Sequence, residues 1–150
     1  MYYVIIVALV AIDQAIKYLV RVNMHLGETV PVVENVIHIT YVSNSGGAFS
    51  ILQGQTALLL AVPTVMSAAI LWYIHKNRNS TKFMPLLALS AIASGGMGNL
   101  IDRARFGHVV DFIDFRVFPV FNFADICVCC GCGLLVLHML FFEKKAGSLP

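Results

Sequence analysis

Four apolar stretches divide this chain, and each is close to the roughly 20 residues that a helix needs to cross a bilayer. They run from about Tyr2 to Val20, Thr56 to Ile74, Phe83 to Ile101 and Ala124 to Phe142. Backbone amides in hydrocarbon have no water to bond with, so each stretch must satisfy itself as a helix. Composition agrees: 59% of the residues are hydrophobic and 12% are charged, where a soluble domain carries about 25% charged residues. The expectation is one integral membrane domain spanning residues 1–150. A net charge of +2 without a basic run gives no footing for a nucleic-acid partner. The first stretch has no basic start and no small-residue cleavage site, and it contains Asp13. It therefore reads as a retained helix and not as a removed leader.

The short link between the second and third stretches carries Lys76, Arg78 and Lys82 with no acid, and the tail carries Lys144 and Lys145. Basic links stay in the cytoplasm, which puts both termini there and the region around Asp111 and Asp125 at the outer face. Arg21, Arg103, Arg105 and Arg116 lie on that outer side, so the purely basic link carries this orientation more than the count does. Between the first two stretches, Val30 to Val42 alternates in places and suits a short strand pair. Asn44-Ser45-Gly46-Gly47-Ala48 reads as turn chemistry.

Polar residues in so apolar a chain need a reason. A carboxylate at a helix centre in the membrane costs about 2.5–3.5 kcal/mol on insertion scales. Yet Asp111 and Asp125 each sit in a polar patch at the margin of an apolar stretch, as Val110-Asp111-Phe112 and Asn122-Phe123-Ala124-Asp125. Two carboxylates that could meet at one site point to a pair that shares a proton and activates water.

Asp13-Gln14 with Lys17, Asn44-x-Gly46, Gly95 through Asn99 to Asp102-Arg103, Val110-Asp111-Phe112 and Asn122-x-Ala124-Asp125 occur in that order over nearly the whole chain. The ordered set resembles the bacterial lipoprotein signal peptidases, also called signal peptidase II. The resemblance implies four transmembrane helices with a small extracytoplasmic β-cradle. It also implies an intramembrane aspartic endopeptidase, needing no cofactor and no metal, in the bacterial cytoplasmic (inner) membrane. Its substrates would be prolipoproteins, cut just before a cysteine that already bears diacylglycerol, with membrane lipid as the surrounding partner. Asp111 and Asp125 fall on the catalytic pair. Asn44, Gly95, Asn99, Arg103, Asn122 and Ala124 fall on positions that support the site or hold substrate. Asp13 and Lys17 fall on a polar pair of the first helix.

Each motif also has a plainer reading. Asn122 with Asp125 can be a helix start, an N-cap with an acid three residues on. Asp13 and Lys17 lie one helical turn apart and can form a structural ion pair. Ser94, Gly98 and the neighbouring glycines fit close helix packing. Gly96-x-Gly98 follows a membrane span and not a strand, so it is no dinucleotide loop. Arg103 can be a snorkelling anchor. Cys127, Cys129, Cys130 and Cys132 would fall in two pairs on different sides of a helix and cannot surround one tetrahedral ion.

Other functions weigh against different residues. A proton-coupled transporter would hold its acids near mid-membrane. A four-helix thiol oxidoreductase would need reactive thiols at the oxidising surface. A serine–lysine peptidase would need Lys17 beside Ser43 or Ser45. In the aspartic reading the ionised carboxylate takes a proton from water and the protonated one donates to the developing oxyanion. Asp125 opens the fourth helix, where the dipole favours negative charge, so it is the expected ionised partner.

Overall fold

A computed structural model of the chain describes residues 1–46, 56–79 and 82–143. Gly47 and Ala48 of the expected turn, and the basic Lys144 and Lys145, lie outside these residues. The elements run α1 (Tyr2–Asn23), β1 (Thr29–Val33), β2 (Ile37–Asn44), α2 (Thr56–Asn77), α3 (Phe83–Phe106), β3 (Val109–Asp114) and α4 (Phe123–His138). A π-turn, Met139–Glu143, extends α4. All four helices are long and apolar enough to cross a membrane. Their outward faces carry Val4, Val7, Leu19, Trp72 and Leu137 in the open, an arrangement that suits hydrocarbon and not water.

The expected architecture of four spans and a small sheet is what the chain forms, with two differences of detail. The helices outlast the apolar stretches, most clearly α3, which continues through Asn99, Asp102 and Arg103 to Phe106. Those polar side chains turn inward or into a cavity, so hydropathy falls while the helix continues. It stops at Gly107, whose φ of 77° is the left-handed conformation that glycine adopts at low cost, with its N–H on the Arg103 carbonyl. The second difference is a third strand. β1 and β2 form the expected antiparallel pair, but β3 adds to β2, giving the order β1-β2-β3. Asp111 therefore sits on a strand and not at the rim of a span.

Two apolar clusters hold the bundle. Ile6, Ile70, Ile74, Leu86 and Ala93 pack at one end. Val20, Val110 and Phe112 pack beneath the sheet at the other. Along α1, the buried Asp13 and Lys17 fall between Ile6 and Val20, so a polar layer separates the two clusters. Glycines let α3 and α4 approach closely. A Cβ at Gly95 would strike the Ala124 carbonyl oxygen and lie 2.7 Å from Val128 Cγ2, and one at Gly131 would lie 2.6 Å from the Ala88 carbonyl oxygen. The packing reading of these glycines matches that geometry.

Candidate active site

Asp111 and Asp125 reach the wall of one cavity of about 430 Å³, shared with Asn44, Asn99, Arg103 and Asn122. The strand register explains Asn44. Val42 lies directly opposite Asp111, and Asn44, two residues on, points to the same face and becomes the diagonal neighbour of that carboxylate. Its Nδ2 donates to Asp111 Oδ2 at 2.8 Å. Asn122 Nδ2 donates to Asp111 Oδ1 at 2.6 Å.

Asp125 is placed by helix-start chemistry. Asn122 is the N-cap of α4: its Oδ1 accepts from Asp125 N at 3.0 Å, and Asp125 Oδ2 accepts from Asn122 N at 3.1 Å. This reciprocal capping box satisfies two amides that a helix start leaves unpaired. The other carboxylate oxygen, Asp125 Oδ1, accepts from Asn99 Nδ2 at 2.8 Å. Capping and cavity placement are therefore the same fact, since the bonds that start the helix also hold the acid at the cavity wall.

The orientation of each amide follows from its other partners. Asn44 Oδ1 accepts from Gly46 N at 3.0 Å, and Asn122 Oδ1 is occupied by Asp125 N. Both must present their NH₂ groups to Asp111. Asn99 Oδ1 accepts from Lys17 Nζ at 2.8 Å and from Asn122 Nδ2 at 3.1 Å, so its NH₂ faces Asp125. Burial pushes the Asp111 carboxyl up to about 6, against the pull of the Asn44 and Asn122 amides, and the nearby Asp125 adds to the rise. Three residues along the strand, Asp114 is held below the usual carboxylate range by Thr40 Oγ1, whose hydroxyl donates at 2.7 Å, and by Arg116.

Behind the cavity, Lys17 Nζ lies 2.9 Å from Asp13 Oδ2 and 3.0 Å from Asp102 Oδ2, with all three side chains almost fully buried. Gln14 Nε2 donates to Asp102 Oδ1 at 2.9 Å and to the Gly98 carbonyl at 3.1 Å. Asp102 Oδ2 also accepts from Val110 N at 3.2 Å, and Asp13 Oδ1 accepts from Ala124 N at 3.0 Å. The expected pair on α1 is thus part of a quartet. Gln14 and Asp102 belong to the motifs already noted but carried no role there. Asp102 shares a helical face with Asn99, and that spacing was the available signal.

The remaining expected positions divide clearly. Arg103 lines the cavity, and its Nε is buried without a hydrogen-bond partner among the described residues. Gly95 and Ala124 sit at the α3–α4 crossing and not in the cavity wall. Reading the sequence gave no cavity role to Phe118, Phe121 or Cys129, which line the wall on its apolar side. The four cysteines are free thiols; Cys127 is buried and the other three are exposed on α4. Lys17 is engaged by two carboxylates and Asn99, which removes it from a serine–lysine arrangement.

Residues 5–141 match the family described as Signal peptidase (SPase) II. The chain belongs to the signal peptidase II family. A protein named lipoprotein signal peptidase from Halothermothrix orenii is 42% identical over 99% of this chain and 100% of its own length. One of the same name from Moorella thermoacetica is 39% identical over 93% of each. A solved bacterial membrane enzyme superposes with a TM-score of 0.89 at 29% identity, covering 99% of this chain and 93% of that one. A second gives 0.83 at 31% identity. Signal peptidase II membership makes this a multi-pass membrane peptidase.

Proposed function

We propose that this member of the family is an aspartic endopeptidase that removes the signal peptide from diacylglyceryl-modified prolipoproteins, cutting just before the lipidated cysteine, with Asp111 and Asp125 as the catalytic pair. The observation that carries this is their convergence on one cavity, each held by neutral amides that fix its position without neutralising it. Two like charges at one site resist joint ionisation, so the pair keeps one proton over a range of pH. Asp125, at the start of α4 with its Oδ1 accepting from Asn99 Nδ2, is the base. Asp111, pushed up to about 6, is the acid.

The reaction then runs through water. Asp125 takes a proton from a water molecule as its oxygen attacks the scissile carbonyl, while Asp111 donates to the oxygen of that carbonyl. Collapse of the tetrahedral intermediate returns a proton to the leaving amine. No acyl-enzyme forms and no metal or cofactor is required. A substrate that displaces water from the cavity raises the Asp111 pKa further and extends the one-proton form toward neutral pH.

Asn44 and Asn122 hold Asp111, Asn99 and Asn122 hold Asp125, and Arg103 brings a cation to the cavity wall for the substrate backbone. Gly95 and Ala124 support the site by letting α3 meet α4. The positive link at Lys76, Arg78 and Lys82 supports an orientation with the termini in the cytoplasm and the cavity at the outer face of the bacterial cytoplasmic membrane, where a prolipoprotein already anchored in lipid would meet it.

The test is cleavage of a diacylglyceryl-modified prolipoprotein by purified Asp111→Asn and Asp125→Asn proteins. Both should be inactive while still folded, and appreciable turnover by either one ends the aspartic reading.

A further inference from the structure

Lys17 does not reach the cavity, yet it is the cation nearest to its amide wiring. Its ammonium has donors only. With Asp13 and Asp102 fixing it in the bundle interior at 2.9 and 3.0 Å, it faces Asn99 Oδ1 at 2.8 Å. An amide turned over at this position would aim its NH₂ at an ammonium and its oxygen at the Asp125 carboxylate, repulsive at both ends. We infer that Lys17 is a positioning residue for the carboxylate pair: it holds the Asn99 amide so that Asn99 Nδ2 donates to Asp125 Oδ1. This rests on the assignment of Asp111 and Asp125 as the pair.

Two further contacts tie the same quartet to the site. Asp13, the ion-pair partner of Lys17, accepts from the Ala124 amide in the first turn of α4, one residue before Asp125. Gly98 allows that approach: a Cβ there would lie 2.5 Å from Asp13 Oδ2 and 3.3 Å from Ala124 Cβ. The positive charge of Lys17 also reaches Asp111, where it opposes the rise caused by burial. The charged groups bordering the pair are Asp13 and Lys17 on α1 and Asp102 and Arg103 on α3; β2 contributes the neutral Asn44. Lys17 and Arg103 are thus the two cations among these groups, and Lys17 is the one bonded to an amide that touches the pair.

The experiment is a kinetic cycle on the full chain in detergent, with a diacylglyceryl-modified prolipoprotein peptide as substrate. Lys17→Met is combined with Asp102→Asn, so that the interior keeps the same net charge. Asn99→Asp is made alone and on that background. It preserves the acceptor for Lys17 but presents oxygen to Asp125, as an inverted amide would. Each variant should lower kcat about 10- to 100-fold, the worth of one charge-assisted hydrogen bond, with KM nearly unchanged. The pH profile of kcat should move as a whole toward higher pH by about one unit, because a hydrogen bond to the charged form favours that form. The combined variant should be little worse than Asn99→Asp alone, since both changes break the same bond.

Multiplicative losses in kcat, or an unmoved pH profile in Asn99→Asp, would overturn the inference. If Lys17→Met/Asp102→Asn does not fold, Lys17→Met/Asp13→Asn takes its place at the same net charge: wild-type kcat and profile refute the inference, and a lowered kcat with the shifted profile and normal melting upholds it. Failure of the underlying pair assignment looks different, because Asp125→Asn would then cleave.

Discussion

The protein holds two acidic clusters within a few turns of each other, and it partners them in opposite ways. In the interior cluster, Asp13 and Asp102 close on the Lys17 ammonium. At the cavity, Asp111 and Asp125 close on asparagine amides. An ammonium bonded to two carboxylates sets a full opposite charge beside them as well as fixing their place. An amide fixes only the place, because it donates a hydrogen bond without supplying a full charge. The first arrangement is therefore suited to holding helices together, and the second to carboxylates that must gain and lose protons during turnover.

The sharpest way to break this contrast is to exchange acid for amide at each cluster. Asp111→Asn and Asp125→Asn should each reduce cleavage by about a thousandfold or more, measured as single-turnover rates on a lipidated prolipoprotein. The double variant should be barely worse, because the two act as one unit. Asp114→Asn, three residues from Asp111 and bonded to Thr40 and Arg116 instead, should keep most of its activity. A comparable loss there would dissolve the distinction between the cavity acids and their neighbours.

The pH dependence sharpens the same contrast. With the Asp111 carboxyl at about 6, kcat/KM should decline above that pH by about tenfold per unit. The limb in kcat should lie higher, since bound substrate excludes water. A kcat/KM that is flat from pH 6 to 8 would remove Asp111 as the acid.

At the interior cluster the expected loss is of stability. Lys17→Met strands two buried carboxylates and should lower folding stability by about 3–5 kcal/mol. Adding Asp102→Asn should restore part of that, giving less than the sum of the single losses in thermal melting. Strictly additive losses would show that the ion pair contributes nothing as a pair.

A smaller effect separates Asp111 from Asp114. The folded protein keeps the Asp111 proton up to about 6, while the unfolded chain releases it near 3.8. Stability from this group therefore falls as pH rises through that window. Asp114, lowered in the fold, contributes stability that is present above its unfolded value and lost as pH falls through its folded one. Melting curves of Asp111→Asn and Asp114→Asn across pH 3–7 should flatten these two slopes in opposite directions.

The smallest effects belong to the cysteines and to chelation. Replacing Cys127, Cys129, Cys130 and Cys132 by alanine or serine, or adding excess EDTA, should leave most cleavage intact. Loss that zinc restores would point to a metallopeptidase.

The sequence made the spans legible because hydropathy is a local property. It made the pair legible because carboxylates are conspicuous beside apolar runs. Neither signal could reveal that β3 joins β2, since Val109 to Asp114 is short and its partner lies far back along the chain. For Asp102 the sequence offered only its spacing from Asn99, because its ion pair exists only once α1 and α3 pack and bring it against Lys17. The C-terminal end of α3 was misjudged for the same reason: Asn99 and Asp102 in its last turns bond to side chains of other helices. Asn122 caps α4 and also bonds Asp111 at the cavity wall, so the helix-cap reading does not compete with a place at the cavity.

That double duty of Asn122 has a bearing on drug resistance. A compound that grips Asn122 and Asp125 touches the bonds that begin α4 as well as the proposed catalytic pair. A substitution that loosened its hold on Asn122 would unfasten the first turn of that helix and release Asp111 in the same stroke. Selection under such a compound should return changes in the apolar wall, at Phe118 or Phe121, and leave Asn122 untouched.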